Sequence, residues 1–301
     1  MTSTGPGDPA GLPPALTSEQ AAELARAHGL ERVGGRPPLG TYIKDLWERR
    51  GFLVTLAQGD FIAGTQNNVL GLLWSVLNPL LLGVAYLLIF GLLLGTRGNV
   101  EDFITFLTTG LFTFIYISGG LNYGARAMTG NISMIRSLQF PRVLLPLSTS
   151  MSQFFATLPA FGILVVIALV RGQTPTWEWL LFPVSLVVVG VMTTGLGLIA
   201  ARVVHEVRDA SNLIPLLTRM MRYVSGIFFP VAHYAAGAPE WVAVILEYQP
   251  LAVTLTLVRE TLMGELPVQP VTWLVSCGWA ILLFVVGFVL VWRAEATYGR
   301  S

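Results

Sequence analysis

The sequence contains little charge for its length. Of its 301 residues, 12% are Asp, Glu, Lys or Arg and 53% are hydrophobic, whereas a soluble domain carries about 25% charged residues. The formal net charge is +1, and the basic residues are scattered along the chain. A nucleic-acid-binding surface needs clustered Lys and Arg, so this class of partner is excluded. The composition predicts a membrane protein.

Cysteine and lysine are nearly absent. Cys277 is the only cysteine, which rules out an intrachain disulfide and a cysteine-based metal cluster. Lys44 is the only lysine and lies in "GTYIKDLWE", which lacks the G-x-x-x-x-G-K-[ST] pattern of a phosphate-binding loop. The chain is therefore not a P-loop ATPase. Its scattered histidines predict no metal site, no cofactor and no catalytic residue.

A secretory signal peptide is also missing from the N-terminal region. Residues 1–40 are rich in Pro, Gly and Ala and lack a basic start followed by an apolar core. They predict a flexible cytoplasmic N-terminal extension. Within it, Thr17 and Gln20 have capping-box spacing before an Ala- and Leu-rich run, which predicts one short helix.

Long apolar runs dominate the rest of the sequence. Five runs contain no Asp, Glu, Lys or Arg and reach the roughly 20 residues that a helix needs to cross a bilayer: Leu70–Leu94, Phe103–Tyr123, Val143–Val170, Trp179–Ala201 and Val271–Trp292. A sixth, weaker run is Leu213–Pro230, which carries arginines near its start. Residues 65–301 thus predict a transmembrane domain with six transmembrane helices, and the fold class is an all-α polytopic membrane protein.

The distribution of arginine supports six crossings. With six, nearly all arginines fall on the cytoplasmic side together with both termini, as the positive-inside rule requires. Residues 240–263 then cannot cross as well. They predict external re-entrant helices, with their charged groups near the water, and irregular backbone at that depth is tolerated only where protein buries it or it lines a cavity.

A helix over residues 41–64 is predicted in front of the first span. At 100° per residue, the apolar side chains of residues 42–61 gather on one face, which is typical of an amphipathic interface helix on a membrane surface. Trp47 and Arg50 suit headgroup depth. A helix packed against a soluble domain has the same pattern, so both interpretations stay open.

A second amphipathic segment, "NISMIRSLQFPRVLLPLS" at residues 131–148, lies between the second and third spans. Asn131 can cap a helix, and Pro141 ends it. Ile132, Ile135 and Leu138 form an apolar ridge on one face, with Arg136 on another. Such a cytoplasmic helix can dock into a groove of a partner protein or rest on the lipid, and the pattern alone does not decide between them.

Several stretches resemble a known family when taken together. They are "LGLLWSVLNPLLLGVAYLLIFG" (70–91), "LQFPRVLLPLS" (138–148), "RDASNLIPLL" (208–217), "GIFFPV" (226–231) and "YQPLAVTLTLVRETL" (248–262). Their series resembles the membrane (permease) subunit of type-2 ATP-binding-cassette exporters, in the polysaccharide branch that exports lipid-linked O-antigen, teichoic acid or mycobacterial galactan. The resemblance runs from about Tyr42 to the end of the chain.

This resemblance implies a homodimer that binds two copies of a cytoplasmic nucleotide-binding ATPase subunit. It implies that residues 131–140 form the ATPase-coupling helix, and that the interface helix is a gate helix with Trp47, Arg49 and Arg50. It also places the external re-entrant residues at Glu247, Gln249, Pro250, Arg259 and Glu260. Two departures occur: "GDFIAGTQNNVLG" (59–71) replaces the family's basic stretch before the first span, and Gln249 precedes Pro250 where the family has Asn.

The expected function is transport of a lipid-linked polysaccharide across the cytoplasmic membrane through a homodimeric tunnel. The alternative is a drug or lipid exporter permease of the same family. Phe112, Tyr116 and Tyr123 lie near one face of the second span and could line the tunnel, because sugar CH faces stack on aromatic rings, or could pack in the core. Gly120 and Gly124 form a GxxxG pair, which serves close packing or a dimer interface.

A polytopic transferase is the interpretation from another functional class. It would need a carboxylate or histidine at the membrane face, and the cluster of His205, Glu206 and Asp209 is the one candidate. A solvated loop that ends a helix explains these three residues better.

Overall fold

The computed structural model describes residues 37–66, 70–93, 100–231 and 239–295, with residues 17, 20, 23, 24, 27 and 237. Most of the predicted extension 1–40 lies outside these residues. The predicted capping box is confirmed: the Thr17 amide donates to Gln20 Oε1 at 3.1 Å, and the Gln20 amide donates to Thr17 Oγ1 at 3.4 Å.

The described residues form helices and no strand. In chain order these are α1 (Leu39–Glu48), α2 (Arg50–Gln66), α3 (Leu73–Tyr86, continued by a π-helix over Leu87–Leu93), α4 (Phe103–Ala127), α5 (Ile132–Ser137), α6 (Leu144–Val170), α7 (Phe182–Glu206, preceded by a 3₁₀ turn over Trp177–Leu181), α8 (Ala210–Val224), α9 (Glu240–Tyr248), α10 (Pro250–Leu262) and α11 (Pro270–Arg293).

Five helices are long and apolar enough to cross a membrane. They are Leu73–Leu93, Phe103–Ala127, Leu144–Val170, Trp177–Glu206 and Pro270–Arg293. Each contains or closely overlaps a span predicted from the sequence, which confirms those five predictions to within a few residues at each end.

The sixth crossing differs from its prediction. Residues 213–230 do not form one helix, because α8 ends at Val224 and is followed by Gly226 at φ 78°. A helix of 15 residues is about 22 Å long, shorter than the roughly 30 Å hydrocarbon core. The pair α9 and α10 is apolar and long enough together, but it is bent by 64°, as in a broken span or a re-entrant loop. The described residues therefore contain five such spans, or six if the bent pair is one.

Close contacts of backbone hold the centre of the bundle together. Most of α4 is buried, and it packs against α7 at Gly124, where an added Cβ would lie 2.5 Å from the Gly197 Cα. On the far side of α7, a Cβ at Gly195 would lie 2.5 Å from the backbone of α11 at Leu283. Gly120 faces Thr193 of α7. The GxxxG pair thus serves close packing within the chain.

A polar cluster joins the ends of α4 and α6. The Asp102 carboxylate caps α4 by accepting from the Thr105 amide at 3.3 Å, and it also accepts from Arg171 Nε at 3.1 Å and from Gln173 Nε2 at 3.3 Å. Burial raises the pKa of Asp102, but these hydrogen bonds outweigh it and hold the pKa below its usual range. Gln173 in turn accepts from the Gly264 amide at 3.1 Å, which ties the end of α10 to the cluster.

Candidate functional site

The predicted gate helix is two helices that meet at Arg49. Trp47 is 70% exposed, and the Arg50 guanidinium lies 5.4 Å from its ring while donating to the Trp47 carbonyl at 3.1 Å. The Arg49 guanidinium donates to the Gln139 carbonyl at 2.7 Å. Arg49 therefore links this helix to the segment that follows the predicted coupling helix.

The predicted coupling helix is present as α5, which follows a 3₁₀ turn that ends at Asn131. The Asn131 side chain donates to the Ala127 carbonyl at 2.9 Å, so it continues the end of α4 into the turn. Ile132 is half-buried, whereas Arg136 and Leu138 are exposed.

The prediction of one exposed apolar ridge on this helix is wrong at Ile135. This side chain is 5% exposed and belongs to a core cluster with Tyr42, Phe140 and Val143. One face of a six-residue helix cannot pack against the core and against a partner protein at the same time. In this structure Ile135 packs against the core. Leu138, 50% exposed, is the apolar side chain left for a partner.

Glu295 joins three parts of the chain beside α5. Its carboxylate is buried, accepts from the Tyr42 hydroxyl of α1 at 2.8 Å, and pairs with Arg142 Nη1 at 3.0 Å and with the Arg142 amide at 3.1 Å. Burial raises the pKa of this carboxyl, and the hydrogen bonds from Arg142 and Tyr42 only partly offset the rise. Glu295 thereby connects the segment that follows α5 to α1 and to the end of α11.

A large cavity of about 1130 Å³ lies between α2, α3, α4 and α6. Its lining is unusually polar for membrane-spanning helices, where polar groups are rare and usually functional. Four carboxamides line it, Asn78, Asn122, Asn131 and Gln153, together with several Ser and Thr hydroxyls. The cavity extends along α4 from Phe112 to Ala127, which is about 22 Å at 1.5 Å per residue.

The three aromatic residues predicted to line a tunnel separate in the structure. Phe112 and Tyr123 line the cavity, and Tyr123 is 56% exposed. Tyr116 is outside its lining and packs edge-on against Phe154 and Phe161, 6.0 and 5.8 Å away between ring centroids. Core packing is thus the role the structure shows for Tyr116.

Charged side chains are few around this cavity: Asp60, Arg126 and Arg222 line it within the described residues. Asp60 accepts from the Ser148 hydroxyl at 3.4 Å, and burial raises the pKa of its carboxyl. Arg222 Nη1 donates to the Tyr86 hydroxyl at 2.9 Å, and its guanidinium lies 5.6 Å from the Phe114 ring.

The residues predicted on re-entrant helices are placed as follows. Glu247 is exposed. Gln249 directly precedes α10, and its side chain donates to the Val224 carbonyl at 2.8 Å. Pro250 is the first residue of α10. The expectation that all the charged groups lie near water is wrong for Arg259 and Glu260, which are 3% and 2% exposed.

Both buried charges are held by hydrogen bonds. Arg259 Nε donates to the Phe106 carbonyl at 3.3 Å, and Nη2 donates to the Ile227 carbonyl at 3.1 Å. Glu260 accepts from the Thr272 hydroxyl at 2.7 Å and from the Gln269 amide at 3.1 Å. These bonds compensate the loss of water around each charge.

The cluster considered for a transferase is not assembled into a site. Glu206 pairs with Arg202 at 3.0 Å, and Asp209 lies in the exposed turn before α8. Within the described part of the chain, no group of three His, Cys, Asp or Glu could hold a metal ion.

The polar lining of the cavity and the Glu295 cluster were not predicted from the sequence. The predicted spans lack charged residues, so charge gives no sign of the cavity. Asn78, Asn122 and Gln153 are the signal that could have revealed the cavity, because an amide inside an apolar run is costly unless it has a polar surrounding. The contacts of Glu295 span 253 residues to Tyr42 and carry no local pattern.

The chain matches the family described as ABC-2 type transporter over residues 52–263, a region that runs from α2 to the end of α10. It is similar to the O-antigen export system permease protein RfbA of Klebsiella pneumoniae, with 30% identity over 238 residues, 78% of this chain and 88% of that protein. It is similar to the protein of the same name in Myxococcus xanthus, with 29% identity over 193 residues, 63% of this chain and 72% of that protein. A second Klebsiella pneumoniae protein of this name is 26% identical over 240 residues, 79% of this chain and 87% of that protein.

Proposed function

The chain belongs to the ABC-2 type transporter family, and from this membership we propose that it is the permease subunit of an ATP-driven exporter of a lipid-linked polysaccharide. Two copies of the chain form a tunnel through the cytoplasmic membrane, and two copies of a separate ATPase subunit bind on the cytoplasmic side. The similarity to O-antigen export permeases supports a glycan as cargo.

The polar cavity is the observation that carries this proposal. A drug or a lipid needs a mainly apolar pocket, whereas a sugar chain needs replaceable hydrogen-bond partners along its whole path. Carboxamides and hydroxyls on α3, α4 and α6 supply such partners over about 22 Å. Rings of Trp74, Phe112 and Tyr123 lie beside them and can stack on sugar CH faces.

The homodimer is supported by the exposed face of α8. Leu213, Leu217, Met220 and Tyr223 are each more than half exposed, whereas Arg222 of the same helix lines the cavity. A second copy of the chain across this face would cover these side chains.

Coupling to the ATPase is proposed at α5. Leu138 and Arg136 are exposed there, while Ile135, Arg49 and Glu295 connect the segment to the gate helix and to α11. A push on α5 from a docked ATPase would then move α1 and α11 together, since packed elements transmit displacement as rigid units.

We expect Leu138→Asp to block export while the permease still inserts. Burying the exposed half of this leucine contributes about 1 kcal/mol, and the aspartate would have to lose its hydration in addition. ATPase copurification from detergent should fall at least tenfold, and lipid-linked polymer should accumulate inside the cell. Leu138→Met is the matched control, since it keeps the apolar contact and should keep the ATPase bound.

Two results would count against the proposal. Full ATPase retention with Leu138→Asp would remove α5 as the docking site. Normal surface glycan in cells depleted of the permease, with loss of drug efflux, would remove the glycan as cargo. Ile135→Asp is unsuitable as a probe, because Ile135 is part of the core and its replacement would unfold the segment.

The proposed topology predicts that Gly237 lies outside the cell. In a Cys277→Ala background, Gly237→Cys should react with an impermeant thiol reagent in intact cells, because α8 and the residues after it cross the membrane and α9 and α10 dip in and return. Glu265→Cys should also react, and Ser211→Cys should not. Labelling at Glu265→Cys without labelling at Gly237→Cys would instead make the bent pair α9 and α10 the sixth span.

A further inference from the structure

Charge is confined to three of the described residues that line the cavity, and this limits what the cavity can conduct. Between the two arginines of its lining, α3, α4 and α6 contribute amides, hydroxyls and apolar groups but no cation. Arg222 donates from Nη1 to the Tyr86 hydroxyl, while its buried Nε has no hydrogen-bond partner, and Arg126 lies exposed in the last turn of α4. The acidic residue of the lining is Asp60.

A polymer with a phosphate in every repeat would place several negative charges along this stretch. Each would lose part of its water between α3, α4 and α6, where Arg126 and Arg222 are the cations among the described lining residues, and a charge without a nearby partner is costly there. An ionised Asp60 would add repulsion. An uncharged sugar chain meets neither cost, since its hydroxyls both donate and accept, as amides and hydroxyls of the lining do.

The carboxamides are placed to contact such a chain. Asn78 is exposed on α3, and Gln153 is half-buried on α6, where its amide nitrogen reaches the Thr157 hydroxyl only at 3.5 Å. Asn122 on α4 donates to the Ser118 carbonyl at 2.6 Å, which leaves its side-chain oxygen to accept. Arg126 lies at the end of the cavity, where it can bind one phosphate group at the end of a polymer. It cannot bind a phosphate in every repeat unit along the cavity.

Resting on the proposed export function, we propose that the cavity conducts an uncharged polysaccharide and rejects polyanionic polymers such as polyol phosphates, with Asn78, Asn122 and Gln153 as the residues that contact the sugar hydroxyls. The substrate class is set by the uncharged, amide-rich part of this lining.

The test uses the permease with its ATPase in proteoliposomes and two synthetic probes on the same polyprenyl diphosphate: a neutral hexose polymer and a poly(glycerol phosphate) of equal length. Transport is measured as protection of the polymer from an added hydrolase. We expect the neutral polymer to move at least tenfold faster. Equal or faster transport of the polyanion would overturn the inference alone. Transport of neither polymer, by a complex that hydrolyses ATP, would overturn the proposed export function and the inference with it.

A pair of variants tests the assigned residues. Gln153→Leu should lower neutral-polymer transport about tenfold, because hydroxyls of the chain would pass without a partner. Thr194→Val is the control, since Thr194 lies outside the lining and bonds its own helix at Gly190, and it should transport normally. Both variants should elute as folded complexes. Normal transport by a folded Gln153→Leu complex would remove this residue from the sugar path.

Discussion

Gly124→Val should leave almost no folded permease in the membrane. A Cβ at this position would lie 2.5 Å from the Gly197 Cα and 3.0 Å from the Gly197 carbonyl. Overpacking costs about 1–3 kcal/mol where neighbouring side chains can yield. Here the obstacle is backbone of a buried neighbouring helix, so α4 and α7 would have to separate along their length.

The measurement is the monodisperse fraction of a fluorescent fusion after solubilisation in detergent. Gly162→Val is the matched control, because Gly162 also lies in a membrane-spanning helix but has no atom within 4 Å of an added Cβ. A normal yield of Gly124→Val would contradict the contact. Equal loss in both variants would assign the effect to valine in a helix and not to the packing of α4 on α7.

Arg259→Leu should destabilise the packing of α10 against α4 and against the segment that follows α8. The guanidinium donates to the carbonyls of Phe106 and Ile227, and it lies 3.5 Å from the Phe106 ring centroid. The Ile227 carbonyl lies outside the helices and would lose its donor, which costs about 1–3 kcal/mol, whereas the Phe106 carbonyl keeps its bond within α4. Lysine has one compact ammonium group and cannot reproduce the planar set of donors, so Arg259→Lys should also be destabilised, though less.

Thermal unfolding of the purified permease checks this expectation, and the melting temperature should fall clearly for Arg259→Leu. Arg208→Leu is the control, since Arg208 is an exposed arginine in the turn before α8 and its loss should change the melting temperature little. An unchanged melting temperature for Arg259→Leu would show that the Ile227 carbonyl is satisfied without this side chain.

Prediction from sequence succeeded where one property of one segment decides the outcome. Five spans were predicted because an apolar run of about 20 residues has only one low-energy arrangement in a bilayer, a helix that satisfies its own backbone. The capping box of Thr17 and Gln20 was predicted because its partners are three residues apart. Helical structure over residues 41–64 and at α5 was predicted from amphipathic patterns in the same way, but the division of the first helix at Arg49 was not.

Prediction was limited where the outcome depends on distant partners. Leu213–Pro230 is apolar enough to suggest a helix, yet α8 ends at Val224 before Gly226 at φ 78°. Arg259 was expected near water, but its partners are Phe106 and Ile227, far away in the sequence. The polar cavity needs side chains from several helices, and no single helix shows it.

The sequence by itself determined that this chain is a helical membrane protein without its own phosphate loop, with two amphipathic segments beside its spans. Composition and local periodicity are enough for that, because the bilayer acts on each segment separately. Only the tertiary structure decided that Ile135 faces the core, that Tyr116 lies outside the cavity lining, and that Glu295 joins Tyr42 to Arg142. Burial and pairing are properties of neighbours in space, and helices that are far apart in the chain supply those neighbours.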